Sequence, residues 1–557
     1  PLRLPQLSRR PMHTDESVQA IKFRGLLENG VYRYDPNEYH GPTLAYATLP
    51  AAWLSGARNL AQTNESTFRV VPVLFGIGLV LLLWLVRDGL GGIATFAAGI
   101  LTAISPAMVF YSRYYIHEML LVFFTFLLMA AIWRYTRQPR LGWALLAGAS
   151  LGLMQATKET FAFAIGAGAL AVVLTVSWRR LIDKVASAKG KIETGGNDPV
   201  LEEKAAESVL TNSATGASRC NPPDEGPSGP HSTPGLEGKR SSADPFRFRA
   251  AHGLAALAVA VGVSVLLFSS FFTNPSGPLD SVRTYLPWLS RAGGQTPHVH
   301  PWHYYFDLLA FTHRARGPVW SEGLILGLAL VGMIAGLARR GLGGAKESWV
   351  RFVTFYTLLL TVIYSLIPYK TPWCMLGFLH GMILLAGVGA SVVIRAWRHR
   401  AYQAIAALVL VIAAGQLTVQ ACRTSFTYYA DQRNPYVYAH TAPDLLRLIH
   451  TVQQLARIDP RGDQMIVQVM AKNGDYWPLP WYFRRFKSVG WWDRVPPHPR
   501  GAVIIASPAF DPALEKELGD GSTMTGFFAL RPSAFLELFV QADLWQAYLK
   551  SGLAAEE

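Results

Sequence analysis

The chain has 557 residues, of which 51% are hydrophobic and only 16% are charged. This composition excludes an ordinary soluble enzyme and indicates a polytopic membrane protein. The formal net charge of +14 does not indicate nucleic-acid binding, because the basic residues lie between apolar segments and no nucleic-acid-binding motif accompanies them.

The first stretch, residues 1–67, is polar and aromatic, and its apolar residues recur with helical spacing. It is predicted to form one or two amphipathic helices that lie on the membrane surface. Because the chain begins at Pro1 rather than at a methionine, we expect a further transmembrane helix, the first span, upstream of it.

Ten apolar segments follow, each with the composition of a membrane-spanning helix. They are residues 68–86, 90–111, 116–133, 141–156, 161–178, 251–272, 323–337, 350–367, 375–394 and 401–419. The second segment contains Ser105 and Pro106, which predicts a kink whose freed backbone groups need protein or water partners. The sequence therefore predicts a mainly α-helical, polytopic membrane protein, with helices at 68–181 and 249–421.

The distribution of basic residues predicts the orientation of these helices. If residues 1–67 are outside, the outer short loops carry only lone Arg113, Lys158 and Lys370. The inner segments then carry Arg87, Arg134, Arg137, Arg140, Arg179, Arg180, Lys184, Arg247, Arg249, Arg339, Arg340, Lys346, Arg395, Arg398 and Arg400. This asymmetry predicts that residues 1–67 lie on the outer side of the membrane.

Three further segments do not have the composition of membrane spans. Residues 182–248 are rich in Gly, Ser, Pro, Glu and Lys, which predicts a disordered cytoplasmic insertion. The outer loop 273–320 is aromatic, as interfacial segments are, and is expected to lie over the site. Residues 422–557 alternate strand and helix patterns, which predicts a small α/β domain on the outer side.

The first candidate reactive groups are Asp15 and Glu16, in the first outer segment. Because adjacent residues point in different directions, one carboxylate can face a reaction while the other binds or caps. The alternative interpretation is a helix N-terminus with Thr14 as its cap and acids in the first turn.

Further candidates lie at the outer ends of predicted spans. Arg113, His117 and Glu118 form one set, although an interfacial arginine more often reaches for the membrane surface than takes part in catalysis. Lys158 and Glu159 separate two apolar segments, and either a functional pair or a structural ion pair explains them.

Lys370 lies between two prolines in Pro368-Tyr369-Lys370-Thr371-Pro372-Trp373, which is also typical of a rigid turn at the interface. The close spacing of His298, His300 and His303 makes them candidate ligands of a divalent metal, although no carboxylate or cysteine stands beside them.

These polar sets all fall on one side of a topology derived from the basic loops alone. Acids beside cations at a lipid interface suit a donor whose leaving group is a lipid phosphate. The cations would neutralise the developing phosphate charge, and a carboxylate would take the proton of an acceptor hydroxyl or amine.

The same motifs carry a resemblance to a family. Asp15-Glu16, Glu38-Tyr39-His40-Gly41-Pro42, Arg113-Tyr114-x-x-His117-Glu118 and the Lys370 segment resemble the membrane glycosyltransferases of the GT-C fold. The resemblance is to the dolichyl-phosphate-mannose protein mannosyltransferase and aminoarabinose transferase superfamily, nearest to the flippase-activity-associated glycosylation proteins. It covers about residues 10–420.

This resemblance implies a polyprenyl-phosphate sugar as donor, a lipid, glycan or protein as acceptor, and inverting transfer at the outer face. It implies that Asp15 is the general base, that Glu16 is a positioning acid, and that Arg113, Lys158 and Lys370 meet the donor phosphate. The residues assigned to substrate binding are Glu38, His40, Arg113, His117, Glu118, Lys158, Glu159 and Lys370.

Two other classes of function remain open at this point. A lipid-linked-sugar flippase or transporter, or an accessory subunit of one, would need charges at the bilayer midplane and internal repeats, and no clear repeat is present. A catalytically inert scaffold would be favoured by a structure in which Asp15 lies far from Arg113 and Lys370.

Overall fold

A computed structural model of the chain describes residues 2–37, 40–194, 249–287 and 298–553. The chain divides into two units, one formed by Pro1–Ala171 with Phe248–Glu557 and the other by Val172–Arg247. The site described below belongs to the first unit.

Helices dominate the membrane portion. In the described residues, seven are long and apolar enough to cross a membrane: Glu65–Leu90, Glu118–Arg137, Phe161–Val185, Ala250–Phe268, Glu347–Leu366, Pro372–Arg395 and Arg400–Thr427. The pair Gly92–Ile104 and Pro106–Ser112, bent by 57°, makes an eighth candidate span. The prediction of a mainly α-helical, polytopic membrane protein is confirmed.

The prediction of ten full spans is too high. Two of the ten predicted segments form the shorter helices Leu141–Gln155 and Gly323–Ala338, of 15 and 16 residues. At about 1.5 Å per residue these helices are roughly 22–24 Å long. A hydrocarbon core is about 30 Å thick, so neither helix is long enough to cross it upright.

The predicted kink at Ser105 and Pro106 is present, and its freed polar groups have a partner. The buried carboxylate of Glu322 accepts hydrogen bonds from the Ser105 hydroxyl at 2.7 Å and from the Ala107 amide at 2.8 Å. The Tyr436 hydroxyl donates to the same carboxylate at 3.0 Å. A carboxylate therefore satisfies the start of the helix that begins at Pro106.

The helix that begins at Phe161 continues to Thr194. The first residues of the predicted insertion are therefore helical, which agrees with the helix-forming alanines, lysines and isoleucines in this stretch. The rest of the predicted insertion, residues 195–248, lies outside the described residues.

Two short helices precede the membrane helices, at Thr14–Asn29 and Thr43–Leu54. The first buries Phe23 and Leu26 on one face. At the end of the second helix, the side chains of Trp53 and Leu54 are exposed. Exposed apolar side chains near the start of a span are typical of a membrane interface.

The C-terminal region is a small α/β domain, as predicted. After the two-residue strands β1 (Thr312–His313) and β2 (Val319–Trp320), its strands are β3 (Val467–Met470), β4 (Val489–Trp492), β5 (Val503–Ala506), β6 (Ser522–Arg531) and β7 (Ala534–Gln541). The sheet order is β4-β3-β5-β7-β6, with β4, β3 and β5 parallel and β7 antiparallel to both its neighbours. The principal helices are Asp444–Ile458, Asp511–Leu518 and Ala542–Lys550.

Sequence patterns did not identify β4. The aromatic stretch 477–486 has a helical pattern, but the structure forms only the four-residue helix Leu479–Tyr482 there. That short helix contacts the first outer segment. The Met12 amide donates to the Tyr482 hydroxyl at 2.8 Å, and Trp481 Nε1 donates to Glu65 at 3.0 Å. The Thr441 hydroxyl donates to the Met12 carbonyl at 2.7 Å. The C-terminal domain thus packs beside the segment that carries Asp15.

Candidate active site

A cavity of about 560 Å³ lies where the segments before and between the membrane helices meet the ends of those helices. Six of the predicted site residues line it: Asp15, His40, His117, Glu118, Lys158 and Glu159. The candidate metal ligand His298 also lines it, as do Tyr369, Thr371 and Trp373 from the segment between two helices. The topology therefore brings together residues that are up to about 360 positions apart in the sequence.

Asp15 reaches the cavity from the first turn of the helix Thr14–Asn29. The residue that caps this helix is His13 rather than the predicted Thr14, because the Asp15 amide donates to His13 Nδ1 at 3.1 Å. The Asp15 side chain is 48% exposed. A carboxylate in this position is open both to the cavity and to solvent.

Glu16 points away from the cavity and is fully buried. Its carboxylate accepts two hydrogen bonds from Arg69, at 2.7 and 2.8 Å, and one from Arg10 at 3.2 Å. The backbone amides of His13 and Tyr115 also donate to it, at 3.0 and 2.9 Å. Burial alone would raise the pKa of Glu16, but the charges of Arg69 and Arg10 outweigh it and hold the pKa well below its ordinary value.

The segment at Gly41 fixes one wall of the cavity. The Gly41 amide donates to the Thr157 carbonyl at 3.1 Å. A Cβ atom on Gly41 would lie 2.1 Å from the carbonyl oxygen of Ala156, so only glycine allows this approach. The pairing places His40 next to Glu159, with 3.4 Å between His40 Nδ1 and Glu159 Oε2.

Two imidazoles lie side by side on this wall. The ring centroids of His40 and His117 are 4.9 Å apart, and His117 Nε2 is 3.1 Å from the Gly41 carbonyl oxygen. Burial, followed by the charges of His40 and Lys158, lowers the pKa of His117 well below its ordinary value. His117 is therefore neutral at physiological pH, and its contact with the carbonyl is a hydrogen bond that it donates.

Lys158 and Glu118 form a buried ion pair in the cavity wall. The ammonium group of Lys158 donates to Glu118 Oε1, and Lys158 and Glu118 are only 7% and 6% exposed. Burial alone would lower the pKa of Lys158, but the charge of Glu118 more than offsets it and raises the pKa. Lys158 is therefore fully charged, and in this state its nearest anion is a side chain of the protein.

Arg113 and Lys370 do not line the cavity. The Arg113 guanidinium donates to the carbonyl oxygens of Leu2, Arg3 and Gln6, at 3.3, 2.9 and 3.2 Å. The Lys370 ammonium donates to the carbonyl oxygens of His300 and Ile367. Both cations hold loop backbone in place. Neither lies at the cavity, so a phosphate in the cavity would not contact them in this structure.

Each of the three candidate metal ligands contacts another side chain. His298 Nδ1 and His300 Nε2 lie 2.7 and 3.3 Å from the Tyr438 hydroxyl, whereas His303 Nδ1 lies 2.6 Å from Asp307. Across the described ranges, no group of three or more His, Cys, Asp or Glu residues is arranged to hold a metal ion. Glu38, another predicted binding residue, lies outside the described residues.

Sequence reasoning did not identify several residues that shape the site. Arg69 and Arg10 bind Glu16. Tyr438, from the C-terminal region, contacts His298 and His300 in the segment that is called the histidine loop below. A signal for Arg69 was present, because an arginine one residue inside an apolar span needs a buried partner. Tyr438 gave no such signal, since its contacts are with residues about 140 positions away.

Comparison with known proteins agrees with this architecture. The family model for dolichyl-phosphate-mannose-protein mannosyltransferases matches residues 44–194. Crystal structures of ArnT from Cupriavidus metallidurans, in the apo state and bound to undecaprenyl phosphate, each align with a TM-score of 0.55. They are 14% and 13% identical to this chain, and each alignment covers 98% of this chain and 96% of ArnT.

A crystal structure of the Archaeoglobus fulgidus oligosaccharyltransferase tethered to an acceptor peptide aligns with a TM-score of 0.48. It is 13% identical, over 99% of this chain and 76% of that protein. No curated protein sequence matches the chain.

The fold and the cavity define a polytopic membrane protein of the GT-C type. The chain shares the fold of ArnT, and its residues 44–194 resemble the dolichyl-phosphate-mannose-protein mannosyltransferases.

Proposed function

We propose that this protein transfers a sugar, with inversion, from a polyprenyl-phosphate donor to an acceptor at the outer face of a bacterial or archaeal plasma membrane. The observation that carries the proposal is the cavity at the ends of the membrane helices. A half-exposed carboxylate, Asp15, and a buried lysine, Lys158, both line it. The family model supports a donor of this class, because the family it describes uses dolichyl-phosphate mannose. ArnT, which shares the fold, binds undecaprenyl phosphate.

Asp15 is the general base in this proposal. It takes a proton from the acceptor hydroxyl or amine as the acceptor atom bonds to the anomeric carbon of the sugar. The bond from that carbon to the phosphate oxygen breaks at the same time, and the polyprenyl phosphate leaves with its electron pair. A single displacement of this kind inverts the anomeric centre and needs only one carboxylate beside the acceptor.

Glu16 is a positioning acid in this proposal, as its motif implied. All the hydrogen bonds of its carboxylate are made within the protein, with two arginines and two amides. It therefore fixes the first turn of the helix that presents Asp15.

Lys158, rather than Arg113 or Lys370, is the cation that meets the donor phosphate in this proposal. Lys158 lines the cavity, whereas Arg113 and Lys370 do not.

Apolar side chains lie beside the cavity. Leu121, Val122, Ala164, Leu360 and Leu376 line a recess of about 30 Å³, which is roughly the volume of one water molecule. Glu118 and Lys158 line both the recess and the cavity. A phosphate at Lys158 would therefore lie next to apolar side chains, with its sugar in the polar cavity, but the recess is too small to hold the lipid chain.

The outer-face location is supported by the same basic loops that predicted it. Asp15, Lys158 and Tyr369 come from three separate connections, and all three lie on the side opposite the basic segments. The C-terminal domain packs on this side as well, beside Met12. The acceptor, a lipid, glycan or protein, would enter between that domain and the histidine loop.

The proposal is tested by purifying the protein into liposomes that contain a polyprenyl-phosphate donor with a radiolabelled sugar. We expect the label to leave the lipid-phosphate fraction and to appear in an acceptor fraction extracted from the source membranes. Liposomes without the protein are the control. Movement of intact labelled lipid across the bilayer, with no transfer product, would instead support the flippase alternative.

A further inference from the structure

The described lining of the cavity has an excess of negative charge. It contains three carboxylates, Asp15, Glu118 and Glu159, but only one lysine, Lys158, and no arginine. The neighbouring His117 is neutral for the reason given above. A phosphate that enters this cavity meets like charges in excess, so its binding depends on how Lys158 becomes accessible.

In the present state the positive charge of Lys158 is already paired with a carboxylate. Its ammonium contacts Glu118, and both side chains are buried. Removing one member of such a pair leaves an uncompensated buried charge, which is strongly unfavourable. Lys158 can therefore leave Glu118 only if another anion takes its place.

The surroundings of the pair fit a phosphate as that second anion. The hydroxyl-bearing residues Thr160, Tyr369 and Thr371 line the same cavity. Burial and the Asp15 charge raise the pKa of Tyr369 to about 12, so its hydroxyl keeps its proton and can donate. A lysine ammonium is a compact charge with three rotatable donors, which allows it to move between anions more readily than a bidentate arginine pair can.

We propose that Glu118 occupies, in the empty enzyme, the position on Lys158 that the lipid phosphate takes on binding. Exchange of the carboxylate for the phosphate then controls the affinity of the enzyme for its donor and for the polyprenyl phosphate that it releases. This inference rests on the proposed function, because it assigns a competing group to the same site. Glu118 is thus an affinity-determining residue, and it also keeps the buried lysine paired when no lipid is bound.

The test is the binding of undecaprenyl phosphate to the full chain in detergent micelles, measured by native mass spectrometry. Glu118→Gln removes the competing charge and keeps the side-chain size. We expect it to bind the lipid phosphate at least about tenfold more tightly than the wild type does. Uncharged undecaprenol should bind both proteins equally, because it brings no anion to Lys158.

A matched control is Glu517→Gln, which makes the same charge change at an exposed position in the C-terminal domain. It should leave the affinity at the wild-type value. Glu118→Asp serves as a second variant, because it keeps the charge but moves it back by one methylene. It should bind undecaprenyl phosphate more tightly than the wild type does, and this result does not depend on whether the glutamine variant folds.

Equal or weaker binding of undecaprenyl phosphate by Glu118→Gln, or weaker binding by Glu118→Asp, would overturn the exchange. If the wild type binds the lipid phosphate but the variants do not bind it more tightly, the exchange is overturned and the proposed function still holds. Folded wild-type protein that does not bind the lipid phosphate contradicts the proposed function itself.

Discussion

Replacing Asp15 with asparagine is expected to lower the rate of sugar transfer by about 10²–10⁴-fold, the usual contribution of a general base. Asparagine keeps the size and polarity of the side chain but cannot accept the proton of the acceptor. Because the Asp15 side chain is half exposed and makes no buried ion pair, the variant should fold normally. The measurement is the turnover of labelled donor in membranes, with donor binding measured in parallel.

A suitable control is Asp520→Asn, at an exposed position of the C-terminal domain. It makes the same chemical change away from the cavity and should transfer sugar at the wild-type rate. Binding of undecaprenyl phosphate by Asp15→Asn should also be unchanged or slightly stronger, since a negative charge has left the cavity. Undiminished transfer by Asp15→Asn would remove Asp15 from the mechanism.

Replacing Glu16 with alanine is expected to destabilise the protein by about 3–5 kcal/mol, the usual cost of breaking a buried ion pair. The change leaves Arg10 and Arg69 buried without their shared anion, and the amides of His13 and Tyr115 lose their acceptor. The measurement is the midpoint of thermal or denaturant unfolding in detergent.

The neighbouring Asp15→Asn is the matched comparison, because it changes an acid in the same helical turn. Its stability should stay within about 0.5 kcal/mol of the wild type, as for most exposed substitutions. If the two variants unfolded at the same point, Glu16 would not be the buried anchor that the geometry describes.

The location of the site could largely be predicted from sequence, because it depends on topology. Lys158 and Glu118 lie at the ends of apolar segments, and Asp15 lies in the polar segment before the first of them. The basic loops predict the same side of the membrane for all three. Charged residues near membrane depth are rarely without partners, so their convergence was a physical expectation. Their individual partners were not predictable, because the contact between Lys158 and Glu118 depends on how two helices pack.

The division of work between Asp15 and Glu16 could not be read from the sequence. The two acids are adjacent, and only the phase of the helix decides which one faces the cavity. That phase is set by His13, which caps the helix, and by Arg69, which binds Glu16. An imidazole cap is an uncommon choice, so the pattern favoured Thr14 instead.

Arg113 and Lys370 illustrate another limit of sequence reasoning. Each is a lone cation on the outer side, as a phosphate-binding residue would be, but each donates to backbone carbonyls. The carbonyl partners of Arg113 lie more than 100 positions away along the chain. Spacing in the sequence carries no information about such contacts, whereas charge and sidedness do.

The bounds of two short apolar helices were predictable, but the number of spans was not. Leu141–Gln155 and Gly323–Ala338 match the predicted segments 141–156 and 323–337 to within one residue, and their apolar composition made each a candidate span. Glycines let such helices approach others closely. A Cβ atom on Gly148 would lie 2.1 Å from the carbonyl oxygen of Ala256, and one on Gly332 would lie 2.1 Å from that of Leu385. Tight packing in the bundle, rather than length, holds these two helices in place.

The most direct test of the account is a cryo-electron microscopy structure of the full chain with undecaprenyl phosphate bound. We expect the phosphate density next to the Lys158 ammonium, with Glu118 moved away from it and Asp15 facing the sugar side of the cavity. Phosphate density at Arg113 or Lys370, with the Lys158–Glu118 pair still closed, would contradict the assignment of this cavity as the site of sugar transfer.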